Sequence, residues 1–367
     1  MMVISQQPDK SIDTMITIIA DENIANLDNY LVHHDIRLIK MKGRCINQVA
    51  LDEHQPDALF VRSVTPINPQ TISDFGKIRF IGSATIGTDH IDIDYLHRKG
   101  ICFANAQGSS KHSVAQYVIC AILHLRSHSI DTPTTLGIIG LGNIGSTLAK
   151  YAQDLGWQVL GYDPYLPKSQ LNNSELYELL AQSDIVSIHT PLTHTGDYPT
   201  HQLFDKTVLS HLKSHAILIN TARGEIINQA DLLLTIADKK LRTALDVFPY
   251  EPSIDAVLLN QISLATPHIA GYTIEGKMRG TDMIYQDFCK AFDLPIIQNL
   301  EALLPPNCYH WANFKKSVTQ DSQSTLRYFY DIYKDDQSLR AVNKDGVSAQ
   351  DFDALRKHYA LRHEWQY

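Results

Sequence analysis

Three side chains suited to binding a carboxylated substrate and moving a proton on it stand just beyond three successive apolar segments. They are Arg223 in Asn220-Thr-Ala-Arg223-Gly, Glu251 in Leu245-Asp-Val-Phe-Pro-Tyr-Glu251-Pro, and His268 in Thr266-Pro-His268-Ile-Ala-Gly. Arginine offers a permanently charged planar fork that matches a carboxylate. Histidine exchanges a proton near neutral pH, and a carboxylate on its second nitrogen fixes the tautomer and stabilises the imidazolium. Taken singly, each residue has an ordinary explanation as a surface ion pair, a solvated loop acid or a hydrogen-bonded core histidine. Their joint placement after neighbouring strands argues for one site.

A second constellation supplies the other half of a redox reaction. The strand-like Leu136-Gly-Ile-Ile139 runs into Gly140-x-Gly142-x-x-Gly145, and the next apolar segment, Trp157-Gln-Val-Leu160, leads to Asp163. In such a motif the first glycine permits a tight turn, the second admits a pyrophosphate against the backbone, and the third lets the helix pack on the strand. The helix N-terminus, at Asn143 and Ile144, offers unpaired N–H groups and a positive dipole end to the phosphates. The acidic residue about 20 positions on accepts the ribose hydroxyls and repels a 2′-phosphate, so NAD is expected rather than NADP.

The elements that must carry these residues alternate apolar strands with helical stretches. Strands are expected at Val159–Tyr162, Asp184–Ile188, Ala216–Ile219, Thr243–Val247 and Ser263–Ala265. Earlier in the chain, Met15–Ala20, Ala58–Val61 and Arg79–Gly82 repeat the theme. This is an α/β chain with two doubly wound parallel-sheet domains, a Rossmann-type NAD domain and a smaller flavodoxin-like lid domain, with ligands expected at the carboxyl ends of the strands. The expected division is an N-terminal extension over 1–14, a substrate or lid domain over 15–112 with 270–298 returning to it, an NAD domain over 113–269, and a small α+β domain over 299–367. Val114–Leu125 is apolar but too short to span a bilayer, and is expected to be a buried helix. The tail Phe352–Trp365 has helical apolar spacing.

At 367 residues the chain is long enough for two or three cores. A formal charge of −8, without a Lys/Arg cluster, argues against a nucleic-acid partner. The five cysteines lack metal-like spacing and are read as reduced thiols of a cytoplasmic protein. His189, His194 and His201 likewise lack ligand spacing, so no metal is expected. The amino terminus has no basic and apolar signal pattern, and no membrane association is expected.

From Met15 onward the chain resembles the D-specific 2-hydroxyacid dehydrogenase superfamily, through the arginine, glutamate and histidine motifs above. Within it, Phe60-Val-Arg-Ser-Val-Thr65, Ala84-Thr-Ile-Gly-Thr-Asp-His-Ile-Asp92 and His268-Ile-Ala-Gly-Tyr-Thr-Ile-Glu-Gly-Lys-Met-Arg-Gly280 resemble the branch that oxidises 4-phospho-D-erythronate with NAD in vitamin B6 synthesis. The resemblance implies Arg223, Glu251 and His268 as catalytic residues. It assigns Gly140, Gly142, Asn143, Ile144, Gly145, Asp163, Thr190, Ala222, Asp246 and Gly271 to the cofactor, with Asp246 near the nicotinamide carboxamide. Ser63, Thr85 and Tyr272 fall to the substrate, and Arg62, Lys277 and Arg279 are candidate counter-charges for its phosphate. It also implies that residues 299–367 are a dimerisation domain and that the protein is a homodimer.

Two departures stand out. The family's usual Ala-Pro-Gly-x-Asn and Glu-Tyr-Val are here Ala106-Gln-Gly-Ser-Ser110 and Gln116-Tyr-Val118, which is expected to loosen the joint between the domains. The alternatives are a dehydrogenase for another D-2-hydroxy acid, such as 3-phosphoglycerate, and a non-catalytic NADH-sensing corepressor on the same fold. Replacing Asp163 with Ala is expected to narrow the preference for NAD over NADP by roughly tenfold, the scale of one hydrogen bond to a charged group. An unchanged cofactor preference would sink the assignment of Asp163.

Overall fold

The computed structural model describes residues 15–32, 34–126 and 134–367, so the expectation for residues 1–14 lies outside the described residues. The chain divides into two compact units, Met1–Ala106 with Gly280–Leu303, and Gln107–Arg279 with Leu304–Tyr367.

The first unit holds a five-stranded parallel sheet of β1 (Ile16–Asp21), β2 (Ile36–Met41), β3 (Ala58–Val61), β4 (Phe80–Ser83) and β5 (Cys102–Asn105). Their order β2-β1-β3-β4-β5 is the flavodoxin-like one. The sequence reading found β1, β3 and β4 and missed β2 and β5. Both missed strands lie at sheet edges and alternate or stay half exposed, whereas β3 and β4 are buried throughout. Central strands of a parallel sheet are covered on both faces and read as continuous apolar runs, while edge strands do not.

The second unit holds six parallel strands: β6 (Thr135–Ile139), β7 (Gln158–Tyr162), β8 (Ile185–Ile188), β9 (Ile217–Asn220), β10 (Arg242–Leu245) and β11 (Leu264–Ala265). The order is β11-β10-β9-β8-β6-β7. The winding reverses between β6 and β8, the crevice where such folds bind ligands beyond the strand ends. Behind the sheet lies the helix Lys111–Leu125, in which every residue from Ser113 to Leu125 but His124 is buried, as the apolar run predicted.

The C-terminal stretch differs from expectation in two ways. By compactness Leu304–Tyr367 lies in one unit with Gln107–Arg279. It is also helical rather than α+β, with the helices Trp311–Val318, Ser322–Phe329, Ile332–Ala341 and Ala349–Lys357 and only isolated bridges. The helix expected through Trp365 stops at Lys357. Beyond it the backbone pairs elsewhere: Arg362 O accepts from Ile274 N (3.0 Å), and Gln366 N donates to Tyr309 O (2.8 Å). Trp365 enters an aromatic group with Phe314, Trp311 and Tyr151, at ring separations of 4.1, 4.8 and 5.5 Å.

The same tail explains where the units divide. Glu364 accepts from Ser113 Oγ (2.5 Å), Thr273 Oγ1 (3.0 Å) and Arg279 Nη2 (2.9 Å), and Glu275 accepts from Glu364 N (2.8 Å). Residues 270–279 therefore stay with the tail, and the chain returns to the first unit at Gly280, later than the sequence suggested. Gln116 donates to His363 O (3.2 Å) and accepts from Arg362 Nε (3.3 Å).

Trp365→Ala is expected to lower unfolding stability by about 3–5 kcal/mol, the usual loss for a large buried aromatic. Denaturant unfolding measures this, and a midpoint like that of the wild type would show that the tail does not share the core.

Candidate active site

The glycine-rich turn has the geometry of an anion cradle. Gly140 follows β6 with φ +91°, and a Cβ there would lie 2.9 Å from the His189 carbonyl. A Cβ on Gly145 would sit 2.0 Å from Gly140 O, so the helix approaches the turn as only glycine permits. Gly142 faces open space and caps the helix Asn143–Asp154 with no side-chain cap bond, leaving the first N–H groups for a ligand. Asn143 packs beside Gly108, 3.0 Å from where a Cβ would be, and half-buried Ile144 rests on the core.

Asp163 is fastened at the end of β7. Its Oδ2 accepts from Leu141 N (3.0 Å) and its Oδ1 from Tyr165 N (3.1 Å). Asn173 pins the same residue from both sides, accepting from Asp163 N and donating to Asp163 O, each at 2.8 Å. Beyond β8, the hydroxyl of Thr190 is buried without a hydrogen-bond partner. Such an orphan is costly unless something pairs with it. The cradle, the fastened acid and the orphan hydroxyl together fit a dinucleotide. His189, read as incidental, sits between Ser187 and Thr221, and burial lowers its pKa to about 3, so it stays neutral.

The acid–base pair is formed. Nδ1 of His268 donates to Glu251 Oε2 at 2.7 Å, while Glu251 Oε1 accepts from Phe248 N at 2.8 Å. Burial raises the Glu251 carboxyl pKa, but the charge and hydrogen bond of His268 and the Phe248 N–H outweigh it and hold the carboxyl below its ordinary value. His268 itself takes φ +55°, uncommon for a residue with a Cβ. Asp246 holds the residues on either side of it, through a side chain before it and the backbone after it. Its Oδ1 accepts from Thr266 Oγ1 (2.6 Å) and Ile269 N (2.8 Å), and its Oδ2 from Ala270 N (2.9 Å). The carboxylate expected near the carboxamide also fastens the histidine loop.

Arg223 is placed by Asn220 at the end of β9, which donates to Arg223 O (2.8 Å) and accepts from Ala222 N (3.0 Å). Gly224 then meets the loop that leads to Glu251. A Cβ there would lie 2.0 Å from the Phe248 carbonyl carbon, so the arginine and glutamate loops pack backbone to backbone. Gly271 lies against Ser110, its would-be Cβ at 3.2 Å.

The remaining candidates divide between the units. In the first, Ser63 is exposed in the turn after β3, Arg62 is half-buried beside it, and Thr85 bonds to Ser83 Oγ (2.8 Å) and Gly87 O (3.2 Å). In the second, Tyr272 has Lys277 Nζ 3.9 Å and Arg356 Cζ 5.5 Å from its ring centroid. Arg279 is withdrawn from the phosphate candidates, because its guanidinium is paired with Glu364 and with the Ser109 carbonyl. Sequence reasoning missed Asn173, Asn220 and Arg356. Asn220 was within reach, since a polar side chain ending a buried strand needs a partner. The other two left no local signal. Among the described residues no cluster suits a metal ion, and no helix is long and apolar enough to cross a membrane.

A parallel sheet wound in both directions, a glycine cradle and a histidine–carboxylate pair define an NAD-dependent dehydrogenase. A family model described as D-isomer specific 2-hydroxyacid dehydrogenase, NAD binding domain, matches residues 123–270, and a domain of unknown function, DUF3410, matches residues 303–367. An erythronate-4-phosphate dehydrogenase of Psychrobacter arcticus is 47% identical over 96% of this chain and 99% of its own, and one of Psychrobacter sp. is 48% identical over the same shares. The NAD-dependent formate dehydrogenase of Staphylococcus aureus, solved in complex with NAD, superposes with a TM-score of 0.62 at 25% identity, covering 78% of this chain and 98% of that one. The chain belongs to the erythronate-4-phosphate dehydrogenase family.

Burial raises the Asp246 carboxyl from 3.8 to about 6. A carboxyl raised on folding favours the protonated fold, so its contribution is present below pH 4 and is lost as pH rises from about 4 to about 6. The difference in unfolding free energy between wild type and Asp246→Asn is expected to shift against the wild type by about 3 kcal/mol over that window. Urea titrations at several pH values measure it, and parallel curves would refute a buried, titrating Asp246.

Proposed function

We propose that this protein oxidises 4-phospho-D-erythronate at C2 with NAD, giving (R)-3-hydroxy-2-oxo-4-phosphobutanoate, in the synthesis of pyridoxal 5′-phosphate. The observation that carries the chemistry is the 2.7 Å bond from His268 Nδ1 to Glu251, which fixes the imidazole by one nitrogen and supports the other as the base. The near-full-length relatives carry the choice of substrate.

In this reading Arg223 binds the substrate carboxylate and polarises the developing 2-oxo group. The Nε2 of His268 takes the proton of the C2 hydroxyl, and Glu251 stabilises the imidazolium that forms. Bound NAD supplies the acceptor for the hydride leaving C2. Gly140, Gly142, Gly145 and the first turn at Asn143 and Ile144 hold its pyrophosphate, and Asp163 a ribose. Thr190, Ala222 and Gly271 line the rest of the dinucleotide, while Asp246 acts through the loop of His268. Ser63, Thr85 and Tyr272 take the substrate. We further propose a cytoplasmic homodimer. This part of the reading rests on the resemblance of residues 299–367 to a dimerisation domain, a stretch that one family model matches over residues 303–367.

Initial rates of NADH formation with 4-phospho-D-erythronate, 3-phosphoglycerate and D-lactate, with a 2-oxo acid added in parallel to re-oxidise held cofactor, test the reading. The four-carbon phosphate is expected to lead in kcat/KM by at least about 100-fold, the scale at which a built polar site rejects a misfit. A lead for another acid would overturn the substrate, and no turnover with NAD bound would favour a sensing role. His268→Ala is expected to lower kcat by about 10²–10⁴-fold, and near-normal turnover would remove the histidine from the mechanism.

A further inference from the structure

We propose that Arg356, on the C-terminal helix Ala349–Lys357, joins Lys277 and Tyr272 in a binding site for the phosphate monoester of the substrate. This inference rests on the phosphorylated substrate of the preceding section and assigns the group that recognises its phosphate.

The placement is specific. Tyr272 lies four residues beyond His268, and two cations of different chain segments approach its ring, Lys277 at 3.9 Å and Arg356 at 5.5 Å from the centroid. The ring face attracts both cations. The Nε of Arg356 is buried and has no hydrogen-bond partner. A buried guanidinium nitrogen left unpaired costs free energy that an anionic ligand would recover. The positive charge of Arg356 also reaches the Glu251 carboxyl, which puts it in the neighbourhood of the acid–base pair. Arg279, by contrast, spends its guanidinium on Glu364 and a backbone carbonyl.

The loop is rigid enough to make a site. Arg362 donates to the carbonyls of Ile269 (3.1 Å), Ala270 (2.5 Å) and Tyr272 (3.3 Å), so the main chain between His268 and Tyr272 is held by the segment that follows the Arg356 helix. Tyr272 and Tyr359 further meet at a ring separation of 6.0 Å. A phosphate esterified two carbons from the reacting C2 would thus be gripped by a residue of the C-terminal region, within the same compact unit as the dyad.

The test uses the full chain with Arg356→Gln and Arg356→Lys, comparing 4-phospho-D-erythronate with unphosphorylated D-erythronate and titrating inorganic phosphate by calorimetry. Arg356→Gln is expected to raise KM for the phosphorylated acid about 10–100-fold, the loss of a hydrogen-bonded charge pair, with a much smaller fall in kcat. It should affect D-erythronate far less and weaken inorganic phosphate by a similar factor, and Arg356→Lys should restore part of both. Equal losses on the two acids, or a displaced pH profile of kcat, would overturn the proposal in favour of an action through Glu251. An unaltered KM would overturn it outright. If the wild type oxidised no phosphorylated acid, the functional reading would fail. The phosphate titrations would still decide the anion site, with equal binding by wild type and Arg356→Gln refuting it.

Discussion

One buried carboxylate organises the catalytic loop. Asp246 accepts hydrogen bonds from Thr266, Ile269 and Ala270, so the residues on both sides of His268 hang from a single side chain at the end of β10. A histidine at positive φ is disfavoured by its own Cβ, and it persists where surrounding bonds over-determine the backbone. Once the loop is fixed, the imidazole has one acid to meet, and Glu251 is in turn seated on Phe248 N. The backbone contact at Gly224 ties the arginine loop to the same place. Three strand ends thereby act as one rigid support, which suits a reaction whose groups must be aligned before the substrate arrives.

The C-terminal region is part of that support. Aromatic packing of Trp311 and Trp365 on Tyr151, with Phe314 against both tryptophans, anchors it to the nucleotide-type core, and Glu364 and Arg362 carry polar bonds onward to the helix Lys111–Leu125 and the loop after His268. Gln116 is a small example of how such an attachment shapes sequence. A neutral amide there both donates to His363 O and accepts from Arg362, which a carboxylate could not do.

The parts of this structure that could be read from the sequence were those with short-range causes. The central strands, the glycine cradle and the buried helix declare themselves through apolar runs and through glycines that sterics demand. The dyad was legible because its members each follow a strand, where this fold puts its ligands. The edge strands β2 and β5 were missed because their pattern is set by which face water touches. Asn173 was missed because its partner is Asp163 across an irregular loop, and Arg362 because most of its bonds run to carbonyls, which carry no residue signature. The helix wrongly extended to Trp365 shows the same limit: apolar spacing foretold that those residues were buried, and the choice of neighbours decided the backbone.

The clamp on the histidine loop also sets an order of events in synthesis. Arg362 lies 92 residues beyond Ala270, whose carbonyl it holds. At the usual rate of roughly 5–20 residues per second, the loop waits about 5–20 seconds after its own translation for that guanidinium to exist. A nascent chain can thus fold its sheet and present the dyad while the main chain beside it remains unclamped by Arg362. Asp246 is present before the histidine, so only the second clamp, on the carbonyls of Ile269, Ala270 and Tyr272, is added late, on chains made through to Arg362.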